Sequence, residues 1–218
     1  MISEHWTAQF DNYCERTDLL YWSEPINAVT NAAFVIAAIW MWRRCAALPM
    51  AKVLCVILFL IGIGSYLFHT HATRWAATAD VLPIGLFILT YLFLASRDFL
   101  GLPNWAAAVA TAGFVPYAYV LVPILDGIPF LKISNFYWTV PLLLLVYAIP
   151  VWRRSAQTAR GMIYGALLLA VSITIRSMDE SLCQRWPIGT HFMWHVLNAC
   201  MLAWMIEVYR RHRQTRPR

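Results

Sequence analysis

VLCVILFLIGIGSYLFHTH, residues Val53–His71, decides the fold class. Its only groups that ionise near neutral pH are the two histidines that close it, His69 and His71. A stretch this long and apolar fits a membrane-spanning helix, which needs ~17–25 mostly apolar residues. Working outward, comparable runs occupy Ile26–Trp42, Thr78–Ala95, Asn104–Val122, Phe136–Trp152, Gly161–Ile175 and Thr190–Tyr209. The sixth is short and the first marginal, and both have flanking residues able to snorkel to the interface. No alternation of a transmembrane barrel is present, and helices and closed barrels are the only spanning options. The expected architecture is therefore all-α: a polytopic membrane protein, a seven-helix bundle forming one domain over residues 1–218. Residues 1–24 read as an acidic segment outside the membrane and residues 210–218 as a basic tail. The start of the chain lacks the basic and apolar regions of a cleavable signal peptide.

Composition agrees. Apolar residues make up 61% and charged residues 13%, against roughly 25% charge in a soluble domain. The formal charge of +6 does not point to nucleic acid, because the basic residues lie in short loops and the tail, where topology accounts for them. Arg43, Arg44, Lys52, Arg97, Arg153, Arg154, Arg160, Arg210, Arg211, Arg213, Arg216 and Arg218 fall on one side. Arg16, Arg74, Lys132, Arg176 and Arg185 fall on the other. The richer set belongs to the cytoplasm, which predicts an outside N-terminus and an inside C-terminus.

Ionisable groups within spans are costly and are functional candidates by default. Ser65 and His69 are four residues apart, on one face of span two. Asp80 lies near the start of span three, and His191 and His195 share a face of span seven. The topology puts all of these at a similar depth, in the outer leaflet. Three imidazoles suit zinc and leave a fourth position open for chemistry. The plainer reading is a set of packing histidines bonded to neighbouring hydroxyls, and a lone His-x-x-x-His pair is a weak signal. His71 competes as a ligand but reads as interfacial. His5 and His212 read as solvated, Asp98 and Glu207 as solvated caps, and Arg176 as snorkelling. A relay for transport would spread its ionisable groups across the bilayer, which these are not; a receptor-like protein with a structural metal is the other alternative.

The ordered set Gly64-Ser65-x-x-Phe68-His69, Asp80-x-Leu82-Pro83 and His191-x-x-x-His195 resembles the alkaline ceramidase family. Asp11-Asn12-Tyr13-Cys14-Glu15 and Glu24-Pro25-x-Asn27-x-x-x-Asn31 also resemble its opening signature, so the likeness covers nearly the whole chain. The resemblance implies a seven-helix zinc amidohydrolase that cleaves ceramide or a related N-acyl lipid, releasing a fatty acid. It belongs to a wider group that includes the adiponectin receptors. The resemblance implies zinc on His69, His191 and His195, with Ser65 and Asp80 beside the attacking water. Asp80 is then expected to take the proton and return it to the leaving amine, while Ser65 assists the oxyanion; a Ser65 nucleophile is the runner-up. The resemblance also implies calcium near the N-terminus, with Asp11, Glu15, Asp18 and Glu24 as candidate ligands. There the chain departs from the family pattern: one extra residue separates Asp11 from Cys14, and Thr17 stands where the family has Asn. Terse loops suggest a bacterial member, placed in the inner membrane with the site towards the periplasm. Cys14 and Cys183 both fall outside the cytoplasm, where disulfides persist, and are expected to pair. Cys45, Cys55 and Cys200 are expected to stay reduced. The lipid is expected to enter laterally, past some of the flanking residues Tyr66, Phe68, Phe192, Met193 and Trp194.

Overall fold

The computed structural model describes residues 2–10 and 13–215. Seven helices are long and apolar enough to cross a membrane: α1 (Pro25–Arg44), α2 (Pro49–His71), α3 (Arg74–Phe99), α4 (Asn104–Asp126), α5 (Asn135–Arg154), α6 (Ala156–Ser177) and α7 (His191–Thr215). No strand occurs among the described residues, only an isolated bridge between Gln9 and Thr73. The helical outcome follows from the solvent. In hydrocarbon every backbone N–H and C=O must be bonded within its own segment. Pro25 and Pro49 open α1 and α2 in the first turn, where a missing N–H costs nothing. Pro83, Pro123, Pro141 and Pro150 lie inside helices, which membrane bundles tolerate.

The helices run longer than their apolar cores. The sixth is not short: it begins at Ala156, where Ser155 caps it by accepting from the Thr158 N–H. The seventh continues through the basic residues to Thr215, so most of the expected tail is helix; residues 216–218 lie outside the described residues.

Helices α2, α6 and α7 are the most enclosed, and α4 faces outward along most of its length. Helix α2 packs on α1 and α3, α7 on α1 and α6, and α5 on α6. The closest approach is at Gly64, where a Cβ would overlap the Ala79 carbonyl and crowd the Asp80 N–H. That contact sets Ser65 beside Asp80.

At the end remote from the histidines lie acids expected to be solvated caps. They are instead enclosed. Asp98, whose side chain is enclosed, bonds Arg97, Arg213 and Tyr209. Glu207 takes Arg44, Arg210 and Arg211. His212, expected in a solvated tail, is buried; it bonds Thr158 and the Asp98 carbonyl and lies against Phe99. Extending α7 carries its arginines back onto these acids, and burial of a carboxylate requires such partners.

Candidate metal centre

The chain threads from the N-terminal segment to the mouth of the bundle. Cys14 is disulfide-bonded to Cys183, as expected, and Cys45, Cys55 and Cys200 are free. The bridge is reinforced by Asp179. Its buried carboxylate accepts from the Cys14 N–H at 3.0 Å and from the Thr190 and His191 N–H groups at 2.6 and 2.9 Å. These last are free donors at the start of α7. Gly189, at φ 63°, makes the turn into α7, and a Cβ there would meet the Asp179 carboxylate and Cys14. One acid thus ties the N-terminal segment to the first turn of the helix that carries two histidines.

His69 from α2 and His191 and His195 from α7 converge, all buried, with one ring nitrogen of each within 4.8 Å of the others. Their protonation can be read from their neighbours. Glu24 accepts from Arg16 Nε, from Asn27 Nδ2 and, through Oε2 at 2.6 Å, from His69 Nδ1. An ionised carboxylate only accepts, so His69 Nδ1 donates to Glu24 and its Nε2 is turned away from that bond. Thr30 Oγ1 has one proton, which points at the Ile26 or Asn27 carbonyl at 2.8 or 3.1 Å. Its oxygen can then accept from His195 Nδ1 at 2.9 Å, which likewise turns His195 Nε2 inward. The two Nε2 atoms face each other at 3.1 Å, close to the spacing of two ligands on one tetrahedral ion. Nδ1 of His191 is also buried without a hydrogen-bond partner. The residues fit a metal with open coordination.

Asp80 lies beside Ser65 and within the electrostatic reach of His69 and Arg176. The expected quintet is thus brought together. Four residues that the sequence reading did not place in the site complete it. Glu24 orients His69, and Thr30 orients His195. Tyr13 stacks on His191 with ring centroids 3.8 Å apart, its phenol pushed up by burial. Arg176 does not snorkel away. It bonds Ser134 Oγ at 2.7 Å and Tyr13, and lies over the rings of Tyr137 and Trp194. No spacing rule finds these partners, since each is distant in sequence from the histidine it serves; only Glu24 and Tyr13 carried a signal, as parts of the N-terminal resemblance.

Three of the four acids expected to hold calcium have partners within the protein. Glu15 accepts the Ile26 and Asn27 N–H groups at the start of α1, at 2.7 and 2.8 Å; burial nevertheless pushes its carboxyl up. Asp18 closes a turn by accepting from the Leu20 N–H. Glu24 faces His69, and Asp11 lies outside the described residues. Among the described residues the histidine triad is the one cluster of His, Cys, Asp and Glu that could hold a metal. His71 stays apart, beside Tyr21 and Trp75.

A family model described as Ceramidase matches residues 6–217. The chain belongs to the ceramidase family. Membership makes it a multi-pass membrane hydrolase acting on a lipid amide, and gives the metal-capable triad a catalytic context. No curated protein matches the chain.

Proposed function

We propose that the chain is a zinc-dependent intramembrane amidase that cleaves ceramide or a related N-acyl lipid to a fatty acid and an amine. The observation that carries the zinc reading is the convergence of the three buried imidazoles, with the Nε2 atoms of His69 and His195 3.1 Å apart. Zinc held by His69, His191 and His195 would supply Lewis acidity and bring a water's pKa from ~15.7 towards ~7. The remaining steps belong to the protein. Asp80, beside Ser65, receives the proton of the attacking water at a carboxylate oxygen. It then delivers that proton to the departing nitrogen, since an amine does not leave as an anion. The Ser65 hydroxyl is placed to donate to the carbonyl oxygen as charge builds there. Arg176 holds positive charge near Asp80 and keeps Tyr13 against His191.

The substrate reading is supported by an apolar cavity of about 70 Å³, partly open to the exterior. It runs from Tyr137 and Trp194 near the triad, past Phe87 and Val140, to Ala95 and Tyr147 near the far end. Of the five residues expected to flank the entrance, Trp194 lines it. Its walls are apolar, as an acyl chain requires. Helix α3 packs on the first half of α4 and α5 on the second half. This divergence supports a lateral opening beside the outward-facing Val81 and Leu82. The excess of arginine at the opposite end supports placing the triad on the non-cytoplasmic side, the periplasmic one in a bacterium.

The deciding experiment measures zinc per chain in the purified protein and fatty acid released from a panel of N-acyl lipids, with and without chelator. About one zinc per chain and chelator-sensitive release are expected. Release unaffected in zinc-free protein would end the proposal.

A further inference from the structure

One of the carboxylates expected to bind calcium, Glu24, instead faces a cation of the protein itself. Arg16 is buried at 3% relative exposure, although arginine is almost never fully buried without partners. Its Nε donates to Glu24 Oε1 at 2.6 Å. Nη1 points at the Asp18 and Leu20 carbonyls at 3.2 and 3.5 Å, and Nη2 donates to the His69 carbonyl at 3.0 Å. A guanidinium is thus ringed by one carboxylate and three backbone oxygens, the mixture of donors that calcium takes. Calcium needs six to eight such oxygens at about 2.3–2.6 Å, and these already serve a cation.

We propose that Arg16 is the built-in counter-cation of this centre, and that the chain dispenses with calcium there. The geometry gives Arg16 a second consequence. It grips His69 twice: directly at the backbone carbonyl, and through Glu24 at the imidazole Nδ1. Arg16 is therefore a positioning residue for the zinc ligand. A calcium ion can be withdrawn by a chelator; a guanidinium cannot be withdrawn or deprotonated at any physiological pH.

The test has two arms. In the first, the melting temperature of the purified wild-type protein is followed with millimolar Ca²⁺ against a calcium-selective chelator. No shift is expected, and a saturable stabilisation by Ca²⁺ would overturn the proposal. In the second, zinc affinity is measured by competition for wild type and Arg16→Gln. This arm rests on the zinc reading above. Partners that orient a metal ligand typically carry ~10–100-fold in affinity, and a loss in that range is expected. An Arg16→Gln protein that binds zinc as tightly as wild type would remove the positioning role. If Arg16→Gln does not fold, the calcium arm on the wild type decides alone. If the wild type binds no zinc, the zinc reading fails, and again the calcium arm decides.

Discussion

Replacing Glu24 by Gln removes one charge and changes almost no volume, so its effects isolate electrostatics. The Glu24 and Arg16 side chains are 3% and 1% exposed, which leaves no solvent to screen the loss. Removing one partner of such a pair costs about 3–5 kcal/mol, because the other charge stays buried. The Gln carbonyl can still accept from Arg16, so the lower figure, about 3 kcal/mol, applies. For a chain of this size that is roughly 6–12 °C in melting temperature. Measuring it in detergent with zinc removed isolates the ion pair from the metal. A second loss appears when zinc is added back. With the Gln oxygen on Arg16, its NH₂ faces His69 Nδ1 and favours the tautomer protonated on Nε2, the atom that should bind metal. Zinc affinity, read by chelator competition, should fall ~10–100-fold. Unchanged melting together with unchanged zinc affinity would refute the assignment of Glu24 as the group that orients His69.

Asp80→Asn should keep zinc content and lose ~10²–10⁴-fold in turnover, and Ser65→Ala should lose less; stopped-assay kinetics beside metal analysis show whether turnover falls without metal loss. Reducing the Cys14–Cys183 bridge, or Cys183→Ser, should cost about 2–4 kcal/mol, read as a lower melting temperature. Val140→Trp in the cavity wall should raise KM for long-chain N-acyl lipids and spare short-chain ones; equal effects on both would place the chain elsewhere. A reporter fused after Arg218 should be active only if it functions in the cytoplasm, and activity confined to an exported reporter would invert the orientation.

The bundle was legible because hydrocarbon leaves few alternatives: each apolar run had to be a helix, and the runs could be counted. His69, Asp80, His191 and His195 were legible because a polar side chain in a span demands a reason. The disulfide followed from location alone. What could not be read were the partners. The bonds of Glu24 to Arg16 and His69 were hidden because nothing in a linear string shows those two side chains folded against it. Arg176 sits in the last turn of α6, where snorkelling and an inward turn look the same in sequence. Asp98, Glu207 and His212 seemed solvated because the arginines that enclose them arrive on a helical extension without an apolar pattern.

The Asp179 carboxylate that clasps Cys14 and the first turn of α7 also bears on biogenesis. The first of the three histidines enters the membrane on α2, whereas the other two follow on α7, five spans later. The loop that leads into α7 must then meet a segment that precedes α1. A nascent chain halted anywhere before Thr190 therefore holds one of the three imidazoles and no metal-capable triad. The cluster comes into being only when α7 joins α2, so it does not exist in a half-inserted molecule.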